Sequence, residues 1–494
     1  MAENEADSAA IDIEGLAHSI EDWMSQDRFM SPNCCIFKTP TILRDLNQKA
    51  YVPGAFSIGP FHHGRPEFED TEKIKSEYLH GLISRSPYPE TILRELINSV
   101  KNVERKAREC YAGPIVYSPD EFVKILVIDG CFIIELLRKM AYVELREEND
   151  PIFSMACMPQ FICHDLILLE NQVPWVVLEL LFNKTLDPTP NNVNKPLIEM
   201  VKSFIASFLI KPPSGHPPIQ DIKHIVDVGR KLLVSSIAGE EGHLIGPDWT
   251  LLPSATSLVE AGVKIKRGES ADILDLKYDN GVLEIPPLKI DETTETLFRN
   301  IISFEQCYPN CEARFTSYAM LLDNLINTAK DVDILSENKI IKNWLNPEDA
   351  IPFFNKLYYN TSVKKMYYQS LCKKVNEYCN RRWPSWRTVL VRNYFNTPWA
   401  ILSTAAAVIL LILTSVQTWY ANRNMAVKTA AIYIEGLESL IKARKSQDLF
   451  MSRKCCIFKT PTILLRLNEK AYVPDVFSIG PFHHGCRVQR NGKN

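Results

Sequence analysis

One stretch of uncharged residues limits the possible folds of this chain more than any other feature. Residues 398–420 read PWAILSTAAAVILLILTSVQTWY, with no acidic or basic residue among them. A helix of this length spans about 33 Å, at about 1.5 Å per residue, and the hydrocarbon core of a bilayer is about 30 Å thick. Aromatic residues, which favour the headgroup level, stand at both ends. The sequence therefore predicts a transmembrane helix at 398–420 that contacts the lipid bilayer through Trp399–Tyr420.

The charges on either side of this span bear on its orientation. Six basic residues lie between positions 373 and 392, and five lie between positions 423 and 445. The small excess on the N-terminal side favours a cytosolic N-terminal domain by the positive-inside rule. The acidic N-terminus, MAENEADSAAIDIEGL, lacks the basic start and the apolar run of a signal peptide. We expect a single-pass membrane protein with a cytosolic N-terminal domain, and the residues do not identify the membrane.

The chain repeats its own opening passage near its end. Residues 9–64 align with residues 430–485 at a shift of 421 positions, and 40 of the 56 pairs are identical. Solenoid repeats recur in tandem, whereas these two copies are separated by a whole domain and the apolar span. Met425 stands ahead of the second copy much as Met1 stands ahead of the first. This arrangement indicates a tandem duplication, either a genuine fused protein or a read-through gene model.

The repeat also sets the expected domain organisation. Residues 1–30 form an N-terminal leader that we expect to be partly disordered, and residues 31–392 form the main domain. Residues 421–494 carry the partial repeat of residues 9–64, without the helices against which the first copy would pack. A segment that cannot bury its apolar face does not offset its ordering entropy, so we expect this part to be poorly ordered.

Hydrophobic periodicity predicts that the main domain is mainly α, a large helical domain with a small β-hairpin insert. Residues 122–140, FVKILVIDGCFIIELLRKM, are apolar on nearly every side and predict a central core helix. Residues 273–288, ILDLKYDNGVLEIPPL, alternate with a period of two around Asn280-Gly281. An Asn-Gly pair between alternating residues is a strong hairpin signal. One C-terminal transmembrane helix follows this domain.

Charge and motif content exclude several functional classes. The net charge of -3 gives no reason to expect a nucleic-acid partner. The thirteen cysteines are scattered without a CxxC module, which is typical of reduced thiols in a cytosolic domain. We find no serine nucleophile elbow, no phosphate-binding loop, no H-E-x-x-H and no dinucleotide-binding glycine pattern. We therefore expect no catalytic, cofactor-binding or metal-binding residues, no cofactor and no small-molecule substrate.

The histidines and cysteines of the first repeat are candidate metal ligands. Cys34 and Cys35 are adjacent, as are His62 and His63. Adjacent ligands do not easily reach one tetrahedral ion, and structural zinc sites usually space their cysteines by two to four residues. The alternative, which we favour, is that the cysteines pack inward and the histidines lie near a turn.

Acidic residues on apolar helices are the strongest candidates for acid–base chemistry. Asp129, Glu135, Asp165 and Glu170 belong to this group, and a carboxyl group in apolar surroundings has a raised pKa. Such acids are more often paired with basic side chains or used as caps, and we expect structural pairing here. The peptide EEGHLIG, which contains His243, is weak evidence for a hydrolase because no serine elbow accompanies it.

Five motifs together closely resemble the plant domain of unknown function 247 family, whose members are also described as uncharacterised proteins. The resemblance covers essentially residues 34–420, including the anchor, although this chain continues for about 74 residues beyond it. It implies no established activity, cofactor or catalytic residue. Some members are linked to pollen–stigma self-incompatibility in grasses, which implies protein recognition at a membrane. The motifs are TPTILRDLNQKAYVPGAFSIGPFHHG, ILVIDGCFIIELL, DLILLENQVPW, PSATSLVEAGVKIK and TLFRNIISFEQCYPN.

These observations lead us to expect a membrane-anchored, non-enzymatic module that interacts with another, unidentified protein. One alternative is a membrane-tethered enzyme that uses the buried carboxylates, and another is a tandem-duplication product without function. A pocket in which two of the acids converge with His164 or His243 would favour the enzyme. Acids that are dispersed over packed helices and paired with Arg or Lys would favour recognition.

Overall fold

The fold is given by a computed structural model in which sixteen α-helices and seven short strands occupy the described residues. The prediction of a mainly α protein is confirmed. The chain divides into two compact units, residues 1–401 and residues 402–494, and each is described by itself. The described residues are 12–25, 31–185, 195–210, 220–235, 241–246, 249–343, 347–380 and 398–451.

The first half of the main unit is built around one buried helix at Pro119–Ala141. Ser118 and Glu121 form a capping box at its start, where each side chain binds the other residue's backbone N–H. Most of its residues are buried, as the apolar pattern of residues 122–140 predicts. The helices of this half are α1 (Ile13–Ser25), α2 (Thr41–Arg44), α3 (Glu69–Ser84), α4 (Pro89–Arg108), α5 (Pro119–Ala141), α6 (Met158–Leu166) and α7 (Trp175–Lys184), with 3-10 turns at Gln48–Ala50, Pro66–Phe68 and Val143–Leu145.

The second half contributes eight more helices to the same unit. Helices α3, α4, α7 and α8 pack against α5, while α11 packs against α6, α9, α12 and α14. Most of the buried apolar side chains of both halves belong to one continuous core. The additional helices are α8 (Leu197–Ala206), α9 (Ile225–Val234), α10 (Ala255–Glu260), α11 (Glu292–Cys307), α12 (Arg314–Leu325), α13 (Ala329–Glu337), α14 (Pro347–Leu357) and α15 (Gln369–Cys379).

The predicted hairpin forms at Asn280-Gly281, and both residues adopt positive φ angles, 44° and 81°. It is part of a three-stranded sheet in the order β2-β4-β3, where β2 runs parallel to β4 and β3 runs antiparallel to it. Two further sheets have two strands each, β1-β7 and β5-β6. The strands are β1 (His243–Leu244), β2 (Lys264–Arg267), β3 (Lys277–Asp279), β4 (Val282–Ile285), β5 (Leu288–Ile290), β6 (Ile341–Asn343) and β7 (Lys365–Met366).

The last described element is one long helix, α16, at Pro398–Met451. It contains a segment, Leu402–Lys445, that is long and apolar enough to cross a membrane, and the most apolar part of it is not buried. The helix continues past Tyr420, the predicted end of the span. Residues 421–451 are therefore helical, where we expected little order. The physical reason is local, because this stretch is rich in Ala, Leu and Lys and contains no proline. Residues 452–494 lie outside the described residues.

Candidate functional site

Residues 34–64, which we call the docking segment, lie on the domain with little regular structure of their own. Besides helix α2 and one 3-10 turn, the segment makes one isolated parallel bridge, between Ile36 and Tyr111. Buried backbone N–H groups outside helices and sheets still need acceptors. For six N–H groups of this segment the acceptors are side chains of α5, α6 and the α6–α7 loop, which include three of the acids singled out above.

Asp165, near the end of α6, holds the centre of the docking segment. Its Oδ1 accepts a hydrogen bond from the Gly54 N–H at 2.8 Å. Its Oδ2 accepts from the Ala55 N–H at 2.8 Å and from the Phe56 N–H at 2.7 Å. The carboxyl group is fully buried. Asp165 therefore serves as a three-fold acceptor for consecutive backbone N–H groups.

Two further N–H groups of the segment, those of Ile58 and Gly59, bind to different side chains. The Ile58 N–H donates to Asn171 Oδ1 at 2.6 Å, and Asn171 Nδ2 donates to the Phe56 carbonyl at 2.9 Å. The Gly59 N–H donates to Asp129 Oδ2 at 2.7 Å. The position of Asn171 before α7 suggests that it caps this helix. However, α7 begins after Pro174, and no side chain caps it.

Asp129 also forms a buried ion pair. Its Oδ1 lies 2.7 Å from the Nζ of Lys75, which reaches it from α3, and Lys75 also contacts Glu72 and the Ser57 carbonyl. Burial raises the pKa of Asp129, and the lysine and the Gly59 N–H oppose that rise. The ion pair thus joins α3, α5 and the docking segment.

Glu170 holds the two ends of the docking segment. It accepts a hydrogen bond from the Thr39 N–H at 2.8 Å, and the Arg44 guanidinium pairs with the same carboxylate oxygen. The Nε2 of His62 lies 3.4 Å from its other oxygen. Burial acts to raise the pKa of Glu170, but His62, the Thr39 N–H and Arg44 outweigh it, and the pKa is lowered.

The fourth acid, Glu135, lies apart from the docking segment. The guanidinium of Arg85, at the end of α3, pairs with its carboxylate, which is fully buried on α5. Arg138 and Lys139, which the sequence places one turn away from Glu135, have other partners. Arg138 donates to the Thr185 carbonyl at 2.9 Å, and Lys139 lies 2.7 Å from Asp150 Oδ2.

The four candidate metal ligands play separate structural roles. Cys34 and Cys35 are buried, His62 approaches Glu170, and the ring of His63 packs edge-on against Tyr117 with 5.5 Å between the ring centroids. Within the part of the chain that the structure describes, no group of three or more His, Cys, Asp or Glu side chains is placed to hold a metal ion.

A recess of about 490 Å³ opens between the docking segment and helix α6. Apolar side chains on its wall include Val52, Pro53 and Phe161, and Phe161 is 47% exposed. His164 also lines it, but both ring nitrogens are engaged. Its Nδ1 lies 2.9 Å from Asp165 Oδ1, and its Nε2 lies 3.2 Å from the Lys49 carbonyl oxygen. The recess can take an apolar side chain or a short peptide segment.

No two of the four acids converge with His164 or with His243. Asp165 alone is beside His164, and His243 is exposed on β1. Sequence reasoning identified the acids but missed their role as acceptors for the docking segment. The signal was available, because a segment rich in Gly and Pro, with buried N–H groups and no helix or strand pattern, needs side-chain acceptors from elsewhere.

Comparisons with known proteins agree on the family. The profile of the family described as "Plant protein of unknown function" (DUF247) matches residues 36–413. The UPF0481 protein At3g47200 of Arabidopsis thaliana is 28% identical over 422 residues, which cover 79% of this chain and 86% of the relative. The putative UPF0481 protein At3g02645 of the same plant is 22% identical over 482 residues, which cover 77% of this chain and 89% of the relative. No solved structure matches the chain. The chain belongs to the DUF247 family of plant proteins of unknown function.

Proposed function

We propose that the protein is a single-pass membrane protein whose helical domain binds another protein and catalyses no reaction. The observation that carries this proposal is the engagement of the four buried acids. Three of them accept backbone N–H groups of the docking segment, and Glu135 pairs with Arg85. Acids held in this way stabilise the fold, and a general acid or base needs a proton that it can exchange with a substrate.

The recess beside α6 is the surface that we assign to the partner. Phe161 presents a large apolar side chain there, next to Val52 and Pro53 of the docking segment. Buried aromatic anchors surrounded by polar groups dominate the energy of protein interfaces. Lys49 and Glu292, which carry opposite charges, line the same recess. The recognition role that the family resemblance implies is consistent with such a surface.

A membrane-tethered enzyme is the second candidate, because His164 and Asp165 are adjacent and His164 lines the recess. A histidine base needs one ring nitrogen directed at the substrate. Here Nδ1 meets Asp165 and Nε2 meets the Lys49 carbonyl, so each ring nitrogen already has a protein partner. This arrangement favours a positioning role for His164 between the docking segment and α6.

The membrane part of the proposal is tested by alkaline carbonate extraction of membranes that carry the full chain. We expect the protein to stay in the pellet. Replacement of both Leu410 and Leu411, which are exposed on α16, by Arg should release it, because each Arg near the centre of a span costs about 2.5–3.5 kcal/mol on insertion scales. The matched control replaces the same two residues by Ala. Release of the unmodified chain into the supernatant would exclude a transmembrane anchor.

The binding part is tested by proximity labelling in plant cells with the full chain. Phe161→Asp should lose labelled neighbours that the unmodified protein retains, because a carboxylate replaces the apolar anchor in the recess. Met155→Asp is the matched control, since Met155 is also apolar and is 45% exposed. Identical neighbours for both variants and for the unmodified chain would show that the recess does not bind the partner.

A further inference from the structure

Two cysteines face each other where the docking segment meets the end of α4. Ile36 and Tyr111 form a parallel bridge, which puts the residues that precede them, Cys35 and Cys110, opposite each other. The Cys35 and Ile36 N–H groups both donate to the Cys110 carbonyl, each at 2.8 Å. Neighbouring strands lie about 4.7–4.9 Å apart, and most disulfides join Cα atoms about 4.4–6.8 Å apart.

The two side chains also meet. The thiol of Cys35 makes a side-chain hydrogen bond to the sulfur of Cys110, and both residues belong to the same buried core. The exposed fraction is 1% for Cys35 and 7% for Cys110. We propose that Cys35 and Cys110 are a redox-active pair, and that hydrogen peroxide or a related peroxide converts them into a disulfide that locks the docking segment onto the domain.

The balanced reaction uses one peroxide molecule. The Cys110 thiolate attacks a peroxide oxygen, so that an S–O bond forms, the O–O bond breaks and hydroxide leaves, which becomes water on protonation. The sulfur of Cys35 then attacks the sulfur of the Cys110 sulfenic acid. An S–S bond forms, the S–O bond breaks, and the leaving hydroxide takes the Cys35 proton as a second water. Two thiols and one peroxide give one disulfide and two waters.

We assign the nucleophile to Cys110 on accessibility, which its electrostatic surroundings support, although its thiol also donates to the Lys106 carbonyl at 3.3 Å. The hydrogen bond from Cys35 lowers the pKa of Cys110, with Lys106 and Lys223 adding to the effect and burial opposing it. The same hydrogen bond, with burial, raises the pKa of Cys35. A thiolate is the reactive form toward peroxide, whereas Cys35 suits the resolving step. Cys110 is also the more exposed of the two.

The bond would act on the docking segment. The segment is already held by Asp165, Asn171, Asp129 and Glu170. It would gain a covalent link at its N-terminal end, to Cys110, two residues after the end of α4. A disulfide limits the opening of the loop it closes. Oxidation would therefore protect the segment, including the wall that it contributes to the recess, from local unfolding.

The test uses the purified full chain in detergent, reduced with dithiothreitol and then exposed to graded hydrogen peroxide. After the remaining thiols are alkylated, tryptic peptides are mapped without reduction. We expect peptide 29–38, FMSPNCCIFK, to be joined to peptide 109–124, ECYAGPIVYSPDEFVK, and the link to disappear on reduction. The second copy of the repeat gives a different peptide, CCIFK at 455–459, so the two copies are distinguishable.

Variants identify the cysteine within the first peptide. Cys35→Ser should abolish the link, whereas Cys34→Ser, its neighbour and matched control, should keep it. As a second readout, oxidation should slow trypsin cleavage after the exposed Lys49 in the unmodified protein and in Cys34→Ser, but not in Cys35→Ser or Cys110→Ala. The proposal is wrong if the unmodified chain forms no link between these peptides while the exposed Cys157 is oxidised. It is also wrong if the link persists in Cys35→Ser.

Discussion

Lys75 and Asp129 form a buried ion pair beneath the docking segment, with 2.7 Å between the lysine Nζ and the carboxylate Oδ1. The exposed side-chain fractions are 0% and 1%. Removal of one partner from such a pair leaves an uncompensated charge in the core. The pair therefore determines how strongly α3 and α5 hold the docking segment between them.

A double-mutant cycle on this pair should show strong coupling. We expect Lys75→Met and Asp129→Asn each to lower the free energy of unfolding by about 3–5 kcal/mol, and the double variant to lose less than the sum. Urea unfolding of the full chain in detergent measures all three. Lys73→Met, on the exposed side of the same helix, is the control and should change stability little. Additive effects of the two single changes would show that the pair does not contribute as a unit.

Asp165 should be essential for the order of the docking segment. In Asp165→Asn the amide keeps one acceptor oxygen, and its NH₂ group faces the backbone N–H groups that the other oxygen had bound. Each buried donor without an acceptor costs about 1–3 kcal/mol. Hydrogen exchange of residues 54–56 should accelerate at least tenfold, and mass spectrometry of the full chain measures it. Asp45→Asn, at an exposed position of the same segment, should leave that exchange unchanged.

Local signals explain which parts of the fold were predicted. The hairpin at Asn280-Gly281 follows from two residues that tolerate positive φ between alternating apolar positions. The core helix α5 follows from its apolar run, and its start is marked by Ser118 with Glu121 three residues later. Both patterns are complete within one short window of sequence.

The candidate site could not be predicted in the same way, because its contacts join distant parts of the chain. Phe56 and Asp165 are 109 residues apart, and Thr39 and Glu170 are 131 residues apart. Apolar neighbours indicated that these acids were buried, which the structure shows. Which backbone groups would reach them depends on the packing of α3, α5 and α6, and no short stretch of sequence contains that information.

Gly59 is required by both conformation and space. Its φ is 70°, and a Cβ at this position would lie 2.5 Å from the carbonyl oxygen of Gln172. Gly64 has a similar φ of 76°, but its Cβ would be 3.5 Å from the Tyr117 hydroxyl, an ordinary contact. Gly64→Ala should therefore lower the free energy of unfolding only by the conformational cost of a positive φ, about 1–2 kcal/mol.

Gly59→Ala should lower the free energy of unfolding clearly more. The docking segment must then also move away from Gln172, which weakens the hydrogen bond from the Gly59 N–H to Asp129. The comparison of the two variants by urea unfolding separates steric overlap from backbone strain. Equal losses in the two variants would mean that the close approach to Gln172 has no energetic consequence.

His224 should make the stability of the domain depend on pH between about 4 and 6.5. Its Nε2 lies 3.0 Å from the Cys35 carbonyl oxygen and its Nδ1 accepts the Asp227 N–H, so the neutral ring fits both partners. Burial lowers its pKa to about 4, against about 6.5 in an unfolded chain. Between these values the unfolded state binds the proton and the folded state does not. The contribution of the neutral His224 ring to stability is thus complete above pH 6.5 and is lost as the pH falls toward 4.

The slope expected from this single group approaches about 1.4 kcal/mol per pH unit. It is measured between pH 6.5 and 4.5 as the difference between the unmodified chain and a His224 variant, because Asp323, whose pKa burial raises to about 6, titrates in both proteins and contributes a slope of opposite sign. His224→Asn retains an acceptor for the Asp227 N–H but does not titrate, and it should reduce the slope in this window. His80→Asn, at an exposed position on α3, should retain the full slope. If His224→Asn and the unmodified chain lose stability in parallel, the neutral buried ring is not the source of the pH dependence. In that case the contact between α9 and the docking segment tolerates a protonated histidine.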